Sequence, residues 1–148
     1  MCSTATVQIG SYILTKAFTM PKAKRICQII KLKPDRVEEY KEIHASVWPG
    51  VLAALARHHI IDYSINHYPP LQLLIATFKY TGDDYEKDMK ALGEDEETQR
   101  WWKVTDGMQE SFNEDATGSG KDVPWWTDVA EVFRFEGELS TPEQPGGL

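Results

Sequence analysis

Tyr40 and His44 stand one helical turn apart in EEYKEIHASVWP, residues 38–49, and the stretch then runs into Trp48 and Pro49. Further along, DYSI (residues 62–65) contributes Tyr63, and QRWWK (residues 99–103) contributes the pair Trp101-Trp102. An imidazole has an ordinary pKa of about 6.5, so it gives and takes a proton near neutral pH. Phenols offer adjustable hydrogen bonds, and aromatic faces stack on the C–H faces of sugars. Together these groups suit a pocket for a small polyhydroxylated ligand. Singly, each has a plainer role as a hydrogen-bonded core residue. Adjacent tryptophans on a helix point in different directions, which allows one to be core and one surface.

Other apparent motifs carry less. TGSGKD at residues 117–122 looks like a phosphate loop, but Asp115 stands where the pattern needs its first Gly, and Asp122 where it needs Ser or Thr. It reads as a plain loop. His58-His59 closes a helix, where imidazoles suit the C-terminal end. No metal-ligand spacing surrounds them, so no metal and no cofactor is expected. GEDEETQ reads as a solvated helix start.

The elements that must position these groups follow from periodicity and punctuation. KRICQIIKLK (24–33) reads as a strand. Pro34-Asp35 opens a helix, with Pro suited to its start and acidic residues in the first turn. On it, Val37, Tyr40, His44, Val47, Val51 and Leu55 recur at three- and four-residue steps, the period of one face. Pro49 lacks the N–H a helix interior needs, so the helix is expected to kink or restart near Ser46, with Ser46 as the cap. IIDYSINHY (60–68) and LQLLIATFKY (71–80) read as a hairpin around Pro69-Pro70. Residues 83–108 read as helix, broken near Gly93, and DVAEVFRFE (128–136) as a last strand by its alternation.

That order is strand, helix, strand, strand, helix, strand. It predicts an α+β, ferredoxin-like βαββαβ subunit, an antiparallel sheet with helices on one face. The other face would be left bare, exposing Ile26, Ile30, Ile65 and Leu74 or their alternating neighbours as an apolar patch. A second copy of the chain is the economical cover, so a homodimer is expected. The expected division is a flexible extension over residues 1–23, one domain over 24–136 and a disordered Pro/Gly-rich tail over 137–148.

The 148 residues carry a net charge of -7, with 26% charged and 41% hydrophobic residues. The acidity argues against nucleic acid and anionic membrane surfaces as partners, since both need a basic face. No apolar run approaches the ~20 residues of a membrane span. Cys2 and Cys27 form neither a disulfide framework nor a ligand pair, which fits a reducing, cytoplasmic setting. The first 34 residues lack Asp and Glu, a feature shared with organellar transit peptides, but they are almost without Arg.

With EEYKEIHASVWP, DYSI, QRWWK and the closing EVF (131–133) in that order, the chain from Lys24 to Phe135 resembles the L-rhamnose mutarotase family. The resemblance implies a dimeric α+β barrel of ferredoxin-like subunits that interconverts the α and β anomers of L-rhamnose without a cofactor. It implies His44 as the proton donor and Tyr40, Tyr63, Trp101 and Trp102 as the sugar contacts. Anomer exchange opens and recloses the pyranose ring. It needs a proton delivered to the ring oxygen and one removed from the anomeric hydroxyl. Tyr40, Tyr63 or a water could serve as the second group. The chain departs from the family pattern in its extension, in added residues before Gln99, and in a longer segment before the last strand. That segment carries Trp125-Trp126, which would sit at the pocket rim. Two rival readings are a cofactor-free monooxygenase of the dimeric α+β barrel type and a non-catalytic sugar-binding dimer.

Overall fold

A computed structural model describes residues 23–137. Residues 1–22 and 138–148, and with them nearly all of the expected extension and tail, lie outside the described residues. Strand β1 (Lys24–Leu32) is the centre of the sheet. Ile26, Ile30 and Leu32 alternate along it into the core, the period-two pattern of a half-buried strand. Pro34 opens a single 3-10 turn, and helix α1 (Val37–Ala45) follows. The chain then restarts as helix α2 (Pro49–Arg57), with Pro49 in its first turn, where the missing N–H costs nothing. The expected cap at Ser46 is not made. Trp48 occupies the N-cap position, with no side-chain cap. His58 donates from Nδ1 to the Ala54 carbonyl at 2.7 Å, and His59 follows with a φ of 64°, so the two histidines do end the helix.

Strands β2 (Ile60–Tyr68) and β3 (Leu73–Tyr80) form the expected hairpin. Its turn is a 3-10 segment, Pro69–Leu71, closed by Gln72 in the left-handed region. Helix α3 (Tyr85–Glu94) is capped by Asp84, which accepts from the Lys87 N–H. Helix α4 (Glu96–Asp106) follows a break at Asp95, two residues beyond the expected one at Gly93. Strands β4 (Gln109–Glu110) and β5 (Thr127–Asp128) are short, and both pair with β1.

The sheet order is β2-β3-β1-β4, antiparallel throughout, with β5 also on β1. This is the α+β ferredoxin-like order that the element sequence predicts. Register shows what happened to the fourth strand. Glu110 lies opposite Lys31, and Thr127 opposite Ile29. The edge strand is therefore one strand split by an excursion of residues 111–126. The expected strand over 128–136 is corrected here: beyond Asp128 only the Val129 N–H reaches β1, at the Cys27 carbonyl, and residues 129–137 carry no strand. Alternation assigns faces to a segment, but it does not supply a neighbouring strand to pair with.

One face of the sheet is closed by the helices. Leu74, Ala76, Phe78 and Tyr80 of β3 join Ile26, Ile30 and Leu32 of β1 there. Burying an Ile or Leu side chain contributes roughly 1.5–3 kcal/mol, and Ile30, Leu32, Leu74 and Met108 are enclosed almost completely. The face turned away carries their alternating neighbours, Cys27 and Ile29 on β1 and Leu73 and Ile75 on β3, all partly exposed. Ile26, Ile30 and Leu74 are thus not the bare patch; their neighbours are. Among the described residues no helix is long and apolar enough to cross a membrane.

Candidate active site

Between the helices and the sheet lies a cavity of about 530 Å³ lined by Tyr40, His44, Tyr63, Trp101 and Trp102. The five residues that the family resemblance assigns to the site therefore meet at one place. The size falls in the range of small-molecule clefts, roughly 300–1,000 Å³.

Helix α1 sets the first pair. Tyr40 is 5% exposed and its ring lies on the His44 ring, centroids 4.0 Å apart at 30°. His44 Nδ1 is 2.7 Å from the Tyr40 carbonyl oxygen. A carbonyl only accepts, so Nδ1 carries the hydrogen and Nε2 is the nitrogen left to exchange a proton. Burial lowers the His44 pKa, and the bond to the Tyr40 carbonyl opposes this in part. The imidazole is thus held neutral at pH 7, with a basic Nε2.

Helix α4 sets the indoles. The Asp95 carboxylate accepts from the Thr98 N–H and hydroxyl, each at 2.9 Å, and pairs with Arg57 of α2 at 3.0 Å. Thr98 lines the cavity one turn before Trp101 and Trp102. Trp101 faces inward, 7% exposed, with its ring edge-on to both His44 and Trp48 at 5.2 Å. Trp102 is half-buried beside Gly93 and Gly120. One tryptophan is core and the other lies partly at the surface, as adjacent helical positions require.

Tyr63 reaches the cavity through a bulge. Ile61 pairs with Lys79 and Ser64 with Thr77, so Asp62 and Tyr63 together oppose Phe78. Asp62 takes the left-handed region, φ 50°, and its carboxylate holds Lys79 at 3.0 Å. The extra residue re-aims the strand. Tyr63 then lies flat on Phe78, at 5.1 Å and 9°. The residue is 42% exposed overall, yet burial of its phenol pushes the pKa up to about 12. Burial also raises the Tyr40 phenol far above its ordinary range; nearby Tyr63 adds to this, and a hydrogen bond from Gln109 opposes it. Both phenols are therefore protonated at any working pH.

Further neighbours surround these groups, and of them His67 and Gln109 escaped the sequence reading. Trp48 backs Trp101, and His67 lines the cavity with its Nε2 3.1 Å from Gln72 Oε1. Gln109, 3% exposed, donates to the Tyr40 hydroxyl at 3.4 Å and accepts from the Trp125 indole at 3.0 Å. Trp125-Trp126, expected at the rim, line an adjoining cleft with Tyr63 and Trp102 and pack against the cluster of Ile30, Leu32, Tyr40, Leu74 and Met108. The TGSGKD segment is a loop, as read. Ser119 donates from N and Oγ to Asp106, at 2.8 and 2.7 Å, and Gly120 lies so close to Trp102 that a Cβ would come within 2.8 Å of its ring. No cluster of metal-ligating side chains occurs among the described residues.

The α+β fold thus encloses a neutral, tautomer-fixed imidazole among phenols and indoles in a cavity of small-molecule size. The model of the L-rhamnose mutarotase family matches residues 25–135, and the chain belongs to that family. Its relatives include L-rhamnose mutarotases of Bacillus subtilis, 34% identical over 76% of this chain and 99% of the relative, and of Lactiplantibacillus plantarum, 30% identical over 76% and 98%. Among solved structures, an L-rhamnose mutarotase of Formosa agariphila is 25% identical, with a TM-score of 0.59 over 76% of this chain and 99% of that one.

Proposed function

We propose that the chain interconverts the α and β anomers of L-rhamnose or a closely related monosaccharide by general acid–base ring opening. The observation that carries this reading is His44: an imidazole held neutral by burial, its Nδ1 tied to the Tyr40 carbonyl, on the wall of an aromatic cavity. Neutral His44 takes the anomeric hydroxyl proton on Nε2 as the bond from the anomeric carbon to the ring oxygen breaks. The imidazolium so formed is made a ready donor by the same burial. The ring oxygen receives its proton from that imidazolium, a phenol or a water. Rotation of the open-chain aldehyde and reclosure from its other face give the second anomer. Tyr40, Tyr63, Trp101 and Trp102 hold the sugar, the indoles by stacking and the phenols by hydrogen bonds. Positioned acid–base catalysis of this kind contributes about 10²–10⁴-fold.

The working unit in this reading is a cytoplasmic homodimer. Two features support the second copy. Cys27, Ile29, Leu73 and Ile75 are partly exposed on the helix-free face. Val132, Phe133 and Phe135 are 98%, 83% and 75% exposed in a segment with strand alternation but no strand partner among the described residues. Saturation-transfer NMR on the anomeric protons of several hexoses, with and without the protein, tests the activity. Faster exchange for L-rhamnose is the expected result. Saturable binding with no faster exchange would instead make the chain a sugar-binding protein, and oxygen uptake with a quinone-forming phenol would make it a monooxygenase. Light scattering at the mass of one chain would remove the dimer.

A further inference from the structure

We infer that Gln109 and Trp125 are positioning residues that fix the direction of the Tyr40 hydroxyl, turning its hydrogen into the pocket as a donor to the sugar. The inference rests on the sugar-pocket reading above and adds to it the polarity of one group. It follows from donor and acceptor inventories alone. An indole N–H can only donate. Trp125 Nε1 lies 3.0 Å from one end of the Gln109 amide, so that end must be Oε1. The other end, Nε2, is then the one facing the Tyr40 oxygen, at 3.4 Å. An amide NH₂ can only donate, so the Tyr40 oxygen accepts there. Its own hydrogen must point elsewhere, and Tyr40 lines the cavity. Gln109 is 3% exposed, so water does not readily compete for either end of its amide.

The excursion of residues 111–126 makes this possible. Ser111 Oγ donates to the Trp125 carbonyl at 2.7 Å, and Asn113 Nδ2 donates to the Pro124 carbonyl at 2.6 Å. These bonds close the base of the loop and bring Trp125 back beside Gln109 on the same sheet edge. In this way the longer segment before the last strand acts on the chemistry from behind the pocket wall. The three-part chain of indole, amide and phenol occupies an acceptor position of the phenol and leaves its hydrogen free for the ligand. Neutral His44 beside it starts as acceptor, so the two groups enter the reaction with opposite polarity.

The test is Gln109→Glu, because a carboxyl can copy the amide in one protonation state and invert it in the other. Protonated, it donates to Tyr40 as the amide does. Ionised, it only accepts, and draws the phenol hydrogen onto itself. Two measurements follow across pH: the ¹³Cζ resonance of Tyr40 in tyrosine-labelled protein, assigned with Tyr40→Phe, and the L-rhamnose exchange rate. The expected result is a Tyr40 signal that moves as the new carboxyl ionises. The exchange rate should then fall roughly tenfold at the same pH, the loss of about one hydrogen bond, a limb absent from the wild type. A Tyr40 signal that ignores that ionisation overturns the inference. So does a rate lowered equally at every pH. A wild type that exchanges no sugar while the Tyr40 signal moves would sink the proposed function and leave the polarity standing. Should Gln109→Glu fail to fold, Trp125→Phe frees the amide to turn. The Tyr40 signal should then shift, with kcat lowered several-fold and KM little changed; an unmoved signal and unchanged kcat refute the inference.

Discussion

Replacing His44 by alanine separates a catalytic imidazole from a merely structural one, because the two roles predict losses of different size. The structural loss can be worked from the contacts. His44→Ala removes one Nδ1–H bond to the Tyr40 carbonyl, about 0.5–1.5 kcal/mol net. It also removes the ring contacts with Tyr40 and Trp101, about 0.5–1.5 kcal/mol for an aromatic pair. Alanine returns up to ~0.7 kcal/mol as the better helix former. With two such pairs counted, the net cost is about 1–4 kcal/mol. For a domain of this size that is a fall of roughly 3–20 °C in Tm, and the cost lies within the ~5–15 kcal/mol stability of an ordinary domain. The expected loss of anomer exchange is about 10²–10⁴-fold. The assay is saturation-transfer NMR at a temperature well below the Tm of the variant, with thermal unfolding measured beside it. Its pH arm has a definite sign. The His44 pKa is lowered in the folded protein, so the wild-type rate should rise with pH through an inflexion below ~6.5 and be flat above it. Stability runs the same way. The contribution of the buried neutral imidazole is present above the unfolded pKa and is lost as pH falls toward the folded one, and His44→Ala should lose less stability on acidification. Wild-type exchange in the folded variant, or a wild-type inflexion above 6.5, would refute the assignment.

Three further outcomes are expected. Asp62→Val puts a β-branched residue at a φ of 50° and should cost about 1–3 kcal/mol in chemical denaturation. It should also weaken L-rhamnose binding, because the bulge aims Tyr63; unchanged stability would show that the bulge relaxes freely. Gly120→Ala places a Cβ 2.8 Å from the Trp102 ring at a φ of 69°, and should shift the indole emission and raise KM more than it lowers kcat; an unaltered spectrum would place the strain elsewhere. A chain trimmed to residues 23–137 should keep its Tm within a few degrees and its exchange rate, measured against the full chain, and a large fall in either would make the removed ends part of the fold.

The sheet and helices were legible because their signals are local. Ile26, Ile30 and Leu32 alternate within one strand, and Pro34 and Pro49 punctuate helices wherever they stand. The five candidate site residues were legible for a different reason: Tyr40, His44, Tyr63, Trp101 and Trp102 fall in short motifs with a family pattern. Even there, spacing could not show that Tyr63 arrives through a bulge, since register is a property of two strands. Gln109 gave no signal at all. A glutamine after Met108 reads as surface until the Trp125 indole, brought back by the excursion of residues 111–126, is found bonded to it. The last strand failed for the converse reason: DVAEVFRFE alternates well, but β1 pairs only with its first residues.

The split edge strand has a consequence for how such a pocket can change over generations. Its excursion departs opposite Lys31 and returns opposite Ile29, so both ends are anchored to neighbouring rungs of one ladder. The span between the anchors is fixed whatever length of chain lies between them. Doubling the length of a flexible loop costs only about 0.6 kcal/mol in closure entropy. Insertions at this point therefore leave the register of β1, and the core side chains it carries, where they are, while adding new groups behind the tyrosine. The fold has in effect a cassette at its edge, through which the wall of the pocket can be rebuilt without redesigning the sheet that supports it.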